Sequence, residues 1–157
     1  MAEREPTATD AQGNSAQPAV YEISLHVAAE DIDALNHANN IVYLRWVQEA
    51  ATAHWFAAAT EQQKAEFIWV VLRHEIDYLR PALLGDELIA RTHVGEASGA
   101  RFDRHVEIWR VSDNTLLARA RSVWAAIDAR TGRPRRVDAA LRQRFYEPPN
   151  ESGLSPC

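Results

Sequence analysis

The chain has 157 residues, 46% of them hydrophobic and 25% charged, which suits one globular domain with a sizeable core. Lys plus Arg number 17 against 22 Asp plus Glu, a formal net charge of -5, which argues against a nucleic-acid partner but leaves room for a local basic patch facing a phosphorylated ligand. No apolar run is long enough to span a bilayer, the N-terminus lacks a basic start followed by an apolar segment, and the one cysteine, Cys157, excludes an intramolecular disulfide and a cysteine-based metal site; the expected compartment is the cytoplasm, with no membrane partner.

Residues 1–19 read as a flexible tail, polar, aperiodic and interrupted by Pro6 and Pro18. A first strand is predicted over Val20–Val27, where Tyr21, Ile23 and Leu25 alternate with Glu22, Ser24 and His26. Ala28–Asn39 is a polar loop crowded with carboxylates, Asn and His. A long helix starts at Asn39 or Asn40, since Asn is a favoured N-cap, and fades near Thr60. Tyr43, Trp46, Val47, Ala50 and His54 share one face of it at helical spacing, while Arg45, Gln48 and Glu49 fall on the other. Its many alanines allow a sheet to approach closely.

Glu61–Glu66 reads as a charged connector. Phe67–Arg80 is the clearest strand; Phe67–Leu72 is apolar on both faces, which predicts a doubly buried, central position in the sheet, and the second half alternates. Pro81 ends it and Gly85-Asp86 is a turn. Strands over Glu87–Glu96, Arg101–Ser112 and Thr115–Asp128 follow, joined by short turns and therefore antiparallel neighbours. A short helix over Ala139–Tyr146 closes the domain, residues 20–146, and residues 147–157 form a second tail. The fold class is α+β, one long helix against a sheet of about five strands.

The pattern Asp31-x-Asp33-x-x-Asn36-His37-x-Asn39-Asn40-x-x-Tyr43-x-x-Trp46 resembles the 4-hydroxybenzoyl-CoA thioesterase-like branch of the hotdog-fold superfamily. Ile76-Asp-Tyr-Leu-Arg-Pro81, Gly85-Asp86 and Val123-Trp-Ala-Ala-Ile-Asp128 before Thr131-Gly132 follow in the matching order, so the resemblance runs from about Tyr21 to Tyr146. It implies a helix wrapped by a curved antiparallel sheet, a homodimer or homotetramer with sites between subunits, and hydrolysis of acyl-CoA thioesters, CoA being part of the substrate and no cofactor being needed. Asn36 stands where that family usually has Gly; Asn tolerates a left-handed backbone, but it also places a side chain near the presumed site.

Thioester hydrolysis needs a base or nucleophile and a donor for the developing oxyanion. By resemblance Asp33 is the catalytic carboxylate, as nucleophile or as general base toward water, and the helix-start N–H near Asn40 polarises the carbonyl. The competing reading of Asp33 is a loop residue capping local N–H groups. His37 either orients the acyl group or bonds within the loop; Asn36, Asn39 and Tyr43 are candidate substrate contacts that also serve as loop-shaping or core residues. Asp31 reads as structural. Glu49, off the apolar face, is the reserve carboxylate, and His54 is a hydrogen-bonded core residue; His74 is a minor candidate for the acyl pocket.

Arg101, Arg104 and Arg133 are candidate contacts for CoA phosphates, against the simpler reading of a solvated mixed-charge surface. No HxH or HExxH spacing occurs, so no metal site is expected. Against the hydrolase stands a non-catalytic hotdog module that binds acyl-CoA. An acyl-carrier-protein thioesterase is the alternative within enzymes.

Overall fold

The computed structural model describes residues 16–148, so the tail assignments for residues 1–15 and 149–157 lie outside the described residues. Five strands and three α-helices follow in the order β1 (Tyr21–His26), α1 (Asn40–Ala58), α2 (Glu61–Glu66), β2 (Phe67–Tyr78), β3 (Glu87–Ser98), β4 (Arg101–Arg110), β5 (Thr115–Asp128) and α3 (Ala139–Arg144). A single 3₁₀ turn, Ala29–Asp31, precedes the loop. The strands form one antiparallel sheet in the order β1-β3-β4-β5-β2.

Helix α1 begins where expected because the Asn39 side chain accepts the Ile41 N–H at 3.0 Å. It ends where Ala59 turns extended while still donating its N–H to the Trp55 carbonyl. Tyr43, Trp46, Val47, Ala50 and His54 are all buried, so the apolar face read from spacing is the face that meets the sheet. Under the first half of the helix the core comprises Tyr43, Trp46, Leu88, Ile108 and Leu117; under the second half it is aromatic, with Trp55, Phe67, Phe102 and Phe145.

Between the two lies a buried polar seam of His54, Thr92, Arg104 and Ser122. Burial first, then the Arg104 charge beside it, holds the His54 pKa down to about 3, well below the usual value of 6.5. Below the unfolded value only the unfolded chain takes up this proton. Stability therefore falls as pH drops from 6.5 toward about 3, by up to ~1.4 kcal/mol per pH unit from this group. Urea midpoints measured across that window are expected to fall less steeply in His54→Gln than in the wild type.

Two expectations need correction. The Glu61–Glu66 connector is a helix, capped by Thr60, whose hydroxyl accepts the Gln63 N–H at 3.1 Å while Gln63 Oε1 accepts the Thr60 N–H at 3.0 Å. The doubly apolar Phe67–Leu72 segment is not central: β2 is an edge strand, and Ile68, Val70 and Leu72 are 50%, 47% and 50% exposed. Phe67 and Trp69 turn toward α1, whereas the alternate residues lie on the uncovered side. The register slips at Leu72, between Val71 and Arg73.

Candidate active site

The loop before α1 is held by Asp31. This carboxylate is 2% exposed; Oδ2 accepts the Ala28 N–H at 3.0 Å and Oδ1 accepts Arg45 Nη2 at 2.9 Å, which ties the loop to the helix. Asp33 then starts a tight turn: its N–H donates to the His37 carbonyl at 3.0 Å, and the Asn36 N–H donates back to the Asp33 carbonyl at 3.1 Å. Asn36 sits at φ 63°, the left-handed region, which explains how Asn serves where a glycine is usual. Urea unfolding is expected to show Asn36→Val destabilised by about 1–2 kcal/mol, because a β-branched residue resists this conformation. Asn36→Gly is expected to stay within about 0.5 kcal/mol of the wild type.

Asp33 Oδ1 accepts the Leu35 N–H at 2.9 Å, so the residue does cap its own turn. Oδ2 makes no hydrogen bond among the described residues, and the side chain keeps 26% exposure. One carboxylate oxygen is thus fixed and the other is open. His37 Nδ1 lies 3.8 Å from Oδ1, beyond hydrogen-bond range.

Asn39 and Asn40 are exposed at the helix start. The Ile41 N–H is taken by the Asn39 side chain and the Val42 N–H by the Asn39 carbonyl at 2.9 Å. The Asn40 N–H has no partner among the described residues, which leaves a donor at the positive end of the helix.

The β2–β3 connection closes over this end. The Ala38 N–H donates to the Ala82 carbonyl at 2.8 Å, the Ala82 N–H donates to the Tyr43 hydroxyl at 2.9 Å, and the Tyr78 hydroxyl donates to the Asn40 carbonyl at 3.1 Å. Burial raises the Tyr43 hydroxyl pKa and keeps it neutral. Tyr43 is 2% exposed, and its hydroxyl joins the core to the loop. Tyr43→Phe leaves the buried Ala82 N–H unpaired, and a loss of about 1–3 kcal/mol is expected in urea unfolding. A cleft of about 230 Å³ remains, walled by His37, Asn40, Tyr43, Tyr78, Arg80 and Pro81. Asp33 is on the same loop but outside its lining. Sequence reasoning passed over Tyr78 and Arg80 as cleft residues, although both stand in the Ile76–Pro81 piece.

The arginines are placed differently. Arg101 is exposed at the start of β4, and Arg133 is exposed in the turn after β5, its carbonyl accepting the Asp128 N–H at 2.8 Å. Asp128 opposes Phe67 at the start of β2, whereas the loop touches Tyr78 at its end. At about 3.3 Å per residue those ends are roughly 36 Å apart, so one chain does not bring Arg101 or Arg133 to the loop. Arg104 is 6% exposed, which corrects its expected role on the phosphate-facing surface: it shares the buried face of β4 with Phe102, Val106 and Ile108. Glu49 is half exposed and pairs with Arg45 at 3.4 Å. His54 is fully buried.

The family model of the thioesterase-like superfamily matches residues 27–145. The chain belongs to that superfamily. Among solved structures it resembles Slr0204, a 1,4-dihydroxy-2-naphthoyl-CoA thioesterase from Synechocystis, with 21% identity, TM-score 0.70, and coverage of 81% of this chain and 96% of that one. It also resembles a thioesterase from Thermus thermophilus solved with coenzyme A and Zn, with 26% identity, TM-score 0.69, and coverage of 79% and 90%. These likenesses bear out the hotdog architecture, a long helix with a five-stranded antiparallel sheet. A curated relative, the chloroplast acyl-[acyl-carrier-protein] hydrolase FATB3 of Cuphea viscosissima, is 32% identical over 93 residues, 57% of this chain and 22% of that protein. The chain therefore spans about a fifth of that relative's length. No helix among the described residues is long and apolar enough to cross a membrane.

Proposed function

We propose that the protein hydrolyses acyl-CoA thioesters to the free acid and CoA, with Asp33 as general base or nucleophile and the Asn40 N–H as donor to the thioester oxygen. The observation that carries this reading is that an open carboxylate oxygen, Asp33 Oδ2, and an unpartnered N–H at the start of α1 belong to one loop-to-helix junction, which Asp31 ties to Arg45. Asp33 Oδ1 is held by Leu35, so the carboxylate is oriented before substrate arrives. His37 walls the cleft, Asn39 caps the helix, and Asn36 sets the turn. Released CoA thiol, followed colorimetrically over a panel of acyl-CoA substrates, tests the activity; no turnover of any of them would refute it. The 93-residue likeness to an acyl-carrier-protein hydrolase makes that carrier the second substrate to compare.

The working unit is a homodimer joined along β2. A twelve-residue strand with an apolar first half and a free edge is an invitation to pair with another strand. Antiparallel pairing of β2 with its copy sets the Phe67 end of one protomer beside the Tyr78 end of the other. The Arg133 end of one subunit then approaches the loop of its partner, where CoA phosphates need cations. Sedimentation is expected to give a mass near twice 17.7 kDa for the wild type. Val70→Lys combined with Leu72→Lys is expected to give monomers with at least ~10-fold lower activity, because charges on an edge strand block pairing.

A further inference from the structure

A second cavity, about 310 Å³, lies beneath the C-terminal half of α1, walled by Trp55, Phe67, Trp69, Phe102, Trp124 and Phe145. Two cations line it, Lys64 and Arg104, and Lys64 is already paired with the Glu61 carboxylate at 2.6 Å. Arg104 lines the cavity and is 6% exposed. Its Nη1 donates to Thr92 Oγ1 at 2.9 Å and to His54 Nδ1 at 3.0 Å, and its guanidinium lies 5.5 Å from the centre of the Phe145 ring. Among the described residues no carboxylate comes within ion-pair distance of it. Nε and Nη2 donate no hydrogen bond among the described residues. Neither atom is among the fully enclosed polar atoms without partners, and Arg104 lines the cavity.

The groups packed around Arg104 leave its charge uncompensated. His54 is neutral, and its Nδ1 accepts from Arg104. The cross-sheet neighbours are Ser122 and, beyond it, His74, which bond each other at 2.6 Å. Burial lowers the guanidinium pKa to about 10, so it remains a cation at neutral pH. A desolvated cation is costly unless a counter-charge meets it. Five N–H donors and no acceptor make an arginine specific for a planar anion, and its two free nitrogens present the fork that a carboxylate matches.

We propose that this cavity receives the acyl group of the substrate and that Arg104 binds a carboxylate of that ligand through Nε and Nη2. The inference rests on the thioesterase reading above, and it sharpens the substrate class to acids with an aromatic or aliphatic body and an anionic end. Two sources share that chemistry: the distal carboxylate of an ω-carboxyacyl thioester, held in the reactive pose, and the carboxylate of a free acid product that rebinds with its anionic end in the cavity. In a dimer joined along β2, the cavity of one protomer faces the loop of its partner, so the acyl body can lie here while the thioester lies there.

Three of the five tryptophans line the cavity, so tryptophan fluorescence reports its occupancy without any turnover. Wild-type protein is titrated with phenylacetate and, separately, with neutral phenylacetamide of the same shape. The acid is expected to bind at least ~10-fold more tightly, as for a charge-assisted bidentate pair. Equal affinities, or no fluorescence change with either compound, would overturn the proposal. Arg104→Met is expected to abolish the difference, and Arg104→Lys to retain part of it; the wild-type comparison stands even if either variant folds poorly. A second arm compares adipoyl-CoA with hexanoyl-CoA. A ~10-fold higher kcat/KM for adipoyl-CoA assigns the carboxylate to the distal end of the substrate, and competitive inhibition by hexanoate without that preference assigns it to the product. Tight acid binding without hydrolysis of any thioester would contradict the catalytic reading and leave Arg104 as the anion site.

Discussion

Asp33→Asn is expected to lower kcat/KM for acyl-CoA hydrolysis by about 10²- to 10⁴-fold, the usual worth of a positioned base. Asparagine is the informative replacement because it keeps an oxygen where Oδ1 accepts the Leu35 N–H at 2.9 Å. The turn through Asn36 should survive, so the loss reports chemistry and not collapse of the loop. Urea unfolding of the variant is expected to stay within about 0.5 kcal/mol of the wild type. Glu49→Gln is the matched control: that carboxylate is half exposed and paired with Arg45, and its loss should leave kcat/KM within about two-fold of the wild type. The reverse outcome, a silent Asp33→Asn and an inactive Glu49→Gln, would move the chemistry from the loop onto the helix.

Trp46→Ala is expected to cost about 3–5 kcal/mol, enough to unfold much of the population of a marginally stable domain. Trp46 is 1% exposed, and its ring meets Tyr43 edge-on at 5.0 Å between centroids. Removing it opens a void beneath the first half of α1, among Tyr43, Val47, Leu88 and Ile108. The damage reaches the site because Tyr43 carries the bond to Ala82 that closes the β2–β3 connection over the helix start. A urea midpoint lower by roughly 2 M is expected, with a concurrent fall in activity. Ile41→Ala, five residues earlier at 72% exposure, should change stability by less than about 0.5 kcal/mol.

Much of the fold was legible because periodicity carries it. The helix start followed from Asn39 as a cap, its buried face from Tyr43, Trp46, Val47, Ala50 and His54, and the antiparallel run β3-β4-β5 from short turns. The position of β2 was not legible. Apolar residues on both faces of a segment say that its faces favour cover, not which strands flank its edges, so the edge position of β2 was not encoded in the pattern. Helix α2 could have been read, since Thr60 followed by Gln63 is a capping box; the charge of Glu61–Glu66 obscured it.

Of the candidate site, the polar loop was legible from its residues, and the turn at Asn36 from the resemblance, in which a glycine is usual at that position. Arg104 was misplaced because it was grouped by charge with Arg101 and Arg133. Its alternation with Phe102, Val106 and Ile108 already put it on the inward face of β4. The cleft wall at Tyr78 and Arg80 depends on how the β2–β3 connection folds back, which is a long-range matter that local pattern does not encode.

The most direct measurement is a crystal structure with a non-hydrolysable acyl-CoA analogue in which a ketone replaces the thioester carbonyl. The account predicts the ketone oxygen about 2.7–3.1 Å from the Asn40 nitrogen, with the Asp33 carboxylate facing the carbonyl carbon directly or through one water. A ketone lying against Glu49, or bound away from the start of α1, would contradict it.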